Sequence, residues 1–188
     1  MIGWKYKIIY LLCAVVLLST IFLSWYFRFE LFYSQESKNK LAQESYESAI
    51  EILDSDTKKA LEKFQFANRL NAENYNYDWQ AGLTQKRLGL NTEAIETFER
   101  LSTKITDQPL LYIHLGEAYE DVGDDGKAIE AYGKATNLPK QFPTAYIRLA
   151  NLLINQGKHD EAIKILEDGR TKNPESNEIS DALKVFGK

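Results

Sequence analysis

The chain has 188 residues, with 23 lysines and arginines, 27 aspartates and glutamates and a net charge of −4. Every acidic residue lies beyond Arg28, where 20 basic residues face 27 acidic ones for a net −7, a balance opposed to nonspecific nucleic-acid binding and to lying flat on anionic lipid. The one cysteine, Cys13, sits near the start, so the rest of the chain has neither a disulfide framework nor a thiol nucleophile.

The first element is apolar. Residues 8–27, IIYLLCAVVLLSTIFLSWYF, carry no charge. Twenty residues at about 1.5 Å each make roughly 30 Å of helix, the thickness of a bilayer's hydrocarbon core. Trp4, Tyr6 and Tyr10 lie near one end and Trp25, Tyr26 and Phe27 near the other, as expected of a spanning helix. A cleaved signal peptide would have a shorter apolar core and a small-x-small cleavage site, and FLSWYF is bulky. A lipoprotein would need small residues before Cys13, which follows Leu11 and Leu12. The expectation is an uncleaved single-pass anchor in contact with the lipid bilayer. Lys5 and Lys7 put residues 1–7 in the cytoplasm and the remainder outside it, in the manner of a bacterial cell-membrane protein, although Lys38 and Lys40 weaken the contrast. Residues 28–40 form a juxtamembrane linker that contains no Gly or Pro and is expected to be helical.

A pattern of period 34 follows. Gly89, Gly123 and Gly157 are each followed five residues later by Ala-Ile: Ala94-Ile95, Ala128-Ile129 and Ala162-Ile163. One step earlier stand Ala60-Leu61, Phe64 and Ala67, with Ser55 in the place of the glycine. Ahead of two of the glycines, Tyr112, Leu115, Gly116 and Tyr119, then Tyr146, Leu149, Ala150 and Leu153, fall at i, i+3, i+4 and i+7 on one helix face. Pro109 and Pro143 punctuate the boundaries at the same spacing, where a first helical turn tolerates proline.

A 34-residue helix–turn–helix unit with these residues resembles the tetratricopeptide repeat. The resemblance implies a helical solenoid, which together with the apolar span over 8–27 gives an expected all-α fold of a membrane helix followed by the solenoid. Its units run over 41–74 (degenerate), 75–108, 109–142 and 143–176. A capping helix over 177–188 closes it through Ile179, Leu183 and Phe186. The second unit departs from the pattern, because Asp78 and Gln85 stand where the family places aromatics. Trp79 and Leu83 are expected to take over that packing through a small rotation.

Catalytic chemistry finds little to stand on. His159, Asp160 and Glu161 resemble a metal cluster, but one period earlier the histidine position holds Asp125 and, one before that, Asn91. Only acidic residues ahead of an apolar stripe persist, as at a helix start. His114 has no spaced partner and is read as a partly exposed surface residue. Asp121 to Gly126 resembles a calcium loop only faintly, since its third position is Gly123 and its twelfth Tyr132. No phosphate-binding, nucleophile-elbow or zinc motif is present, and neither an enzyme nor a cofactor is expected.

The resemblance further implies that the first helix of each unit lines a concave groove for a protein or peptide partner. The second unit would contribute Asn76, Trp79, Leu83, Lys86 and Arg87. The third would contribute Leu110, Ile113, Glu117, Glu120 and Asp121, and the fourth Thr144, Ile147, Asn151, Ile154 and Asn155. Such a groove is apolar at its centre, basic toward one end and acidic in the middle. Trp79 is either a partner anchor or a core residue. The positions that grip a partner's C-terminal carboxylate in some family members hold Trp79, Leu83 and Ile113, and only Asn151 and Arg148 faintly match. The expected role is a membrane-anchored module that scaffolds or assists assembly of a membrane or envelope complex. A stably incorporated structural subunit, contacting through its outer faces or membrane helix, is the alternative.

Overall fold

The computed structural model describes residues 15–24, 26, 35–139 and 142–187. Within the first of these, α1 is helical over 15–24, and its large apolar side chains are exposed, from Leu23 at 52% to Leu18 at 66%. Nine of the twenty residues of the span expected over 8–27 lie outside the described residues. Among the described residues no helix is long and apolar enough to cross a membrane.

Among the described residues nine further helices follow. They are α2 (Gln35–Ile52), α3 (Thr57–Leu70), α4 (Tyr75–Arg87), α5 (Asn91–Ser102), α6 (Pro109–Asp121), α7 (Asp125–Asn137), α8 (Pro143–Asn155), α9 (His159–Lys172) and α10 (Asn177–Phe186). From α2 onward each helix packs on its neighbours in chain order, and α10 also reaches back to α8. Packing that runs mainly from each helix to the next marks a solenoid, in which each helix pair buries its apolar face against the adjoining pair. The boundary expected at 40/41 falls inside α2, which already includes Gln35–Lys40.

The turns explain the recurring glycine. Gly89, Gly123 and Gly157 adopt φ of +73°, +78° and +75°, a region that only glycine enters without strain. The residue after each glycine donates its N–H five residues back, Leu90 to Gln85, Asp124 to Tyr119 and Lys158 to Leu153, each at 2.9 Å. That bond satisfies a carbonyl at the end of the preceding helix. Asp124 also caps α7, its side chain accepting from the Lys127 N–H at 3.1 Å. The acidic loop is thus part of a helix start, and His159 opens α9 in the same way, exposed, with Asp160 and Glu161 in the first turn.

The first pair is built differently. Its α2 buries Ala42, Ser45 and Ala49, and a four-residue turn without positive φ leads to α3. From Ala49 to the α3 alanine Ala60 is eleven residues, whereas Gln85–Ala94, Tyr119–Ala128 and Leu153–Ala162 each span nine. Two extra residues displace the α2 stripe from the 34-residue register, which is why only the second helix of this pair fits the repeat. The core is divided accordingly. One continuous cluster runs from Ala94 in α5 to Ile179 in α10, around Phe98, Tyr132, Tyr146 and Leu166. Two small clusters hold the start of the solenoid, one around Phe64 and one around Tyr77.

The second unit does not rotate to bury Trp79 in place of Asp78. Asp78 and Gln85 stay on the buried side, at 4% and 6% exposure. The Asp78 carboxylate accepts from Arg100 through Nε at 3.1 Å and Nη2 at 2.8 Å, and from the Asn68 amide at 2.7 Å. A buried carboxylate is tolerable only when paired and hydrogen-bonded, and here α3 and α5 supply the partners. The bond to Asp78 also raises the pKa of the Arg100 guanidinium.

Candidate protein-binding face

The first helices of successive units, α4, α6 and α8, expose a common face, and the residues on it differ in how available they are. Asn76, Arg87, Leu110 and Asn155 are exposed, while Trp79, Leu83, Lys86, Glu117, Glu120, Ile147 and Asn151 are half-buried. Ile113 is only 3% exposed and belongs to the core, so it contributes packing rather than an open apolar centre.

Trp79 is both a core residue and a surface one. Its ring meets Phe98 edge-on at 6.3 Å and His114 edge-on at 5.8 Å, and His114 stacks on Phe98 at 6.0 Å. The remaining part of the indole lines a recess of about 1000 Å³ with Tyr75, Asn76, Ile105 and Leu110, at the N-terminal ends of α4 and α6. Aromatic contacts of this kind fix a side chain's orientation in addition to burying it.

A second recess of about 380 Å³ opens toward the other end of the same helices, among Lys86, Glu117, Glu120, Asp121 and Arg148. Glu117 sits at the centre of a chain of polar contacts. It pairs with the Lys86 ammonium and lies 3.1 Å from Nδ1 of His114. An ionised carboxylate can only accept, so Nδ1 carries the proton. The His114 bond, and then Lys86, hold the Glu117 carboxyl down to about 2, overcoming the burial that would raise it. Glu120 accepts from the Tyr132 hydroxyl and lies 3.9 Å from Arg148. Burial, reinforced by that bond, pushes the Tyr132 phenol well above its ordinary value.

The basic end and acidic middle expected from the sequence are therefore largely spent on each other. Arg87 is directed elsewhere, to Asp54 in the turn before α3, at 2.7 Å. Ile147, Asn151 and Asn155 line neither recess. Two contributors escaped the sequence reading. His114, expected as a partly exposed surface residue, is held between Trp79, Phe98 and Glu117, of which the groove reading had named Trp79 and Glu117. Arg148 had been matched only to a carboxylate clamp. Among the described residues no group of three or more His, Cys, Asp or Glu is placed to hold a metal ion.

These features define a helical-repeat solenoid with a recessed face on its first helices. Residues 123–184, a third of the chain, match the family model described as tetratricopeptide repeat, which supports the resemblance read from the period. Anaphase-promoting complex subunit 3 of Schizosaccharomyces pombe is 27% identical over 159 residues, 84% of this chain. That match spans 22% of the yeast protein, and the chain spans less than a quarter of each curated relative it matches. Among solved structures, the MamA protein aligns with a TM-score of 0.69 at 20% identity, over 78% of this chain and 81% of that one. PcrH in complex with the chaperone-binding region of PopD aligns at 0.53 and 15% identity, over 62% of this chain and 88% of that one. At such identities the structures speak for the fold alone.

Proposed function

We propose that this chain is a membrane-anchored interaction module that holds a protein segment on the α4–α6–α8 face and so scaffolds or assists assembly of a membrane or envelope complex. The observation that carries the reading is Trp79. It is oriented by Phe98 and His114, yet its free surface lines the larger recess of the face. PcrH, of the same fold, is solved with a segment of another protein, PopD, which makes a peptide ligand a reasonable occupant.

The anchor rests on α1. Large apolar side chains exposed around a helix are unfavourable in water and suited to lipid. Its ten described residues make about 15 Å, half a bilayer core, and the uncharged sequence continues on both sides. The flanking charges favour a bacterial cell membrane with the repeats on its extracytoplasmic side. Confinement to a surface raises effective concentration, so each contact can be weak.

A photo-crosslinking residue at Asn76, on the rim of the larger recess, and another at Lys134, on α7, test the reading in living cells. Adducts from Asn76 alone support it. Adducts from Lys134 alone replace it with an embedded subunit that contacts through its outer face. Alkaline extraction should leave the full chain with the membranes, and its release would remove the anchor. Tags at both ends with protease on spheroplasts should expose only the C-terminal one.

A further inference from the structure

Resting on the interaction-module reading, we infer that the face selects a segment presenting one large apolar side chain and one lysine or arginine about 10 Å apart. The apolar group enters the recess of Trp79, Tyr75 and Leu110, where the indole is already fixed against Phe98 and His114. A platform ordered before binding loses little further entropy when a partner arrives.

The charge preference comes from the second recess. It holds two basic residues, Lys86 and Arg148, against three acidic ones, Glu117, Glu120 and Asp121, for a net −1. Lys86 is occupied by Glu117, which His114 also holds. Glu120 is fixed by the Tyr132 hydroxyl, and the cation paired with it among the described residues, Arg148, stands off at 3.9 Å with about half its side chain (47%) in solvent. An incoming ammonium or guanidinium therefore meets two incompletely compensated carboxylates, Glu120 and Asp121. An incoming carboxylate meets one loosely held arginine among three like charges, which selects against it. A partner's C-terminal carboxylate is excluded on the same ground.

The spacing follows from α4. Trp79 and Lys86, one at each recess, are seven residues apart, about 10 Å of helix. An extended segment covers that distance in about three residues at roughly 3.3 Å each.

The test is selection of a displayed library of random 12-residue peptides on the full chain in detergent micelles. Binding of each selected peptide, fluorescein-labelled, is then measured by anisotropy. Expected are sequences with Lys or Arg two to four positions from Trp, Phe, Leu, Ile or Met. The double variant Glu120→Gln/Asp121→Asn should bind them at least about tenfold more weakly, with less dependence on salt and an unchanged helical spectrum. Enrichment of acidic peptides, or of peptides that need a free C-terminal carboxylate, overturns the charge preference and leaves the interaction reading standing. Equal binding to the double variant overturns it too. If no sequence is enriched, the interaction reading of this face falls along with it.

Discussion

The half of the solenoid from α6 to α9 and the half from α2 to α5 solve the same packing problem with different chemistry. Both halves lay a ring of the second helix on a glycine of the first, Phe98 on Gly82 and Tyr132 on Gly116, and the later half adds the reverse contact, Tyr146 on Gly169. A Cβ added to Gly116 would come within 2.7 Å of the Tyr132 ring, and one added to Gly169 within 2.7 Å of Tyr146. In the earlier half the position of Tyr112 and Tyr146 is Asp78, and the position of Gly169 is the fully buried Leu101. The large residue has moved to the second helix, and a short one faces it from the first. Asp78 then fills the remaining space with a salt bridge to Arg100 instead of a ring. The comparison teaches that the repeat conserves a volume and a direction of packing, and that a polar pair can supply both if its hydrogen bonds close.

The largest effect should come from filling the glycine notch of the later half. Gly116→Leu drives a side chain into the fully buried Tyr132 ring. Overpacking of a tight core commonly destabilises by about 1–3 kcal/mol, and the upper end, about 3 kcal/mol, is expected against a ring held also by Glu120. Urea unfolding followed by circular dichroism measures it, and a loss under about 1 kcal/mol would show that the ring can move aside.

Next comes the polar pair of the earlier half. Arg100→Met leaves the Asp78 carboxylate, whose side chain is 6% exposed, with only Asn68. Breaking a buried pair this way costs about 3–5 kcal/mol. Because Arg100 is itself 48% exposed, about 2 kcal/mol is expected. Asp78→Asn should lose less, since Arg100 can turn toward water while the buried group is no longer charged. Equal losses would mean that the pair adds nothing beyond its shape.

Glu117 joins the two halves and gives a pH dependence. Its pKa in the folded chain is lowered from 4.5 to about 2 by His114 and Lys86. A lowered carboxyl stabilises the fold fully above its unfolded pKa and loses that contribution as pH falls toward the folded value. Wild type should therefore exceed Glu117→Gln in stability at pH 6, by about 1.5 kcal/mol after allowance for partial exposure, and the gap should narrow from pH 5 to pH 2.5. A gap that stays constant over that range would mean that the carboxylate charge is not what holds the junction.

The two halves were not equally legible. Each unit from 75 onward carries its own turn glycine and Ala-Ile pair, so local chemistry repeats wherever the structure repeats. In α2 the two extra residues before Ala60 broke the period while leaving the helix intact, and a search at 34-residue steps could see only α3. The Asp78 network joins residues 10 and 22 positions apart on three helices, at no spacing that marks a pair within one helix. The binding face was legible as a list of positions and not as a surface. Helical phase put Ile113 and Trp79 in equivalent places, and only the neighbouring helices decide that one is enclosed and the other half open. The charges of the groove were read individually, whereas their effect depends on which neighbours they already engage.

The smallest effect expected is a gain, and it draws the earlier half toward the later one. Gln85 occupies the position of Tyr119 and Leu153, is 6% exposed, and its side-chain oxygen has no hydrogen-bond partner. A buried amide oxygen left unpaired in this way is unfavourable by about 1–3 kcal/mol, since water satisfied it in the unfolded chain. Gln85→Leu places the residue of the fourth unit there, close in volume and without a polar group. The Gln85 main-chain carbonyl, which accepts from Leu90 across the Gly89 turn, is untouched by the change. A gain of about 1 kcal/mol is expected, part of the benefit being lost to imperfect shape. It should add to the loss from Gly116→Leu within about 0.5 kcal/mol only if the two sites pack independently. Should Gln85→Leu instead destabilise the chain, the amide must be bonded within the fold, and the polar character of the second unit would extend beyond Asp78 to the whole buried face of α4.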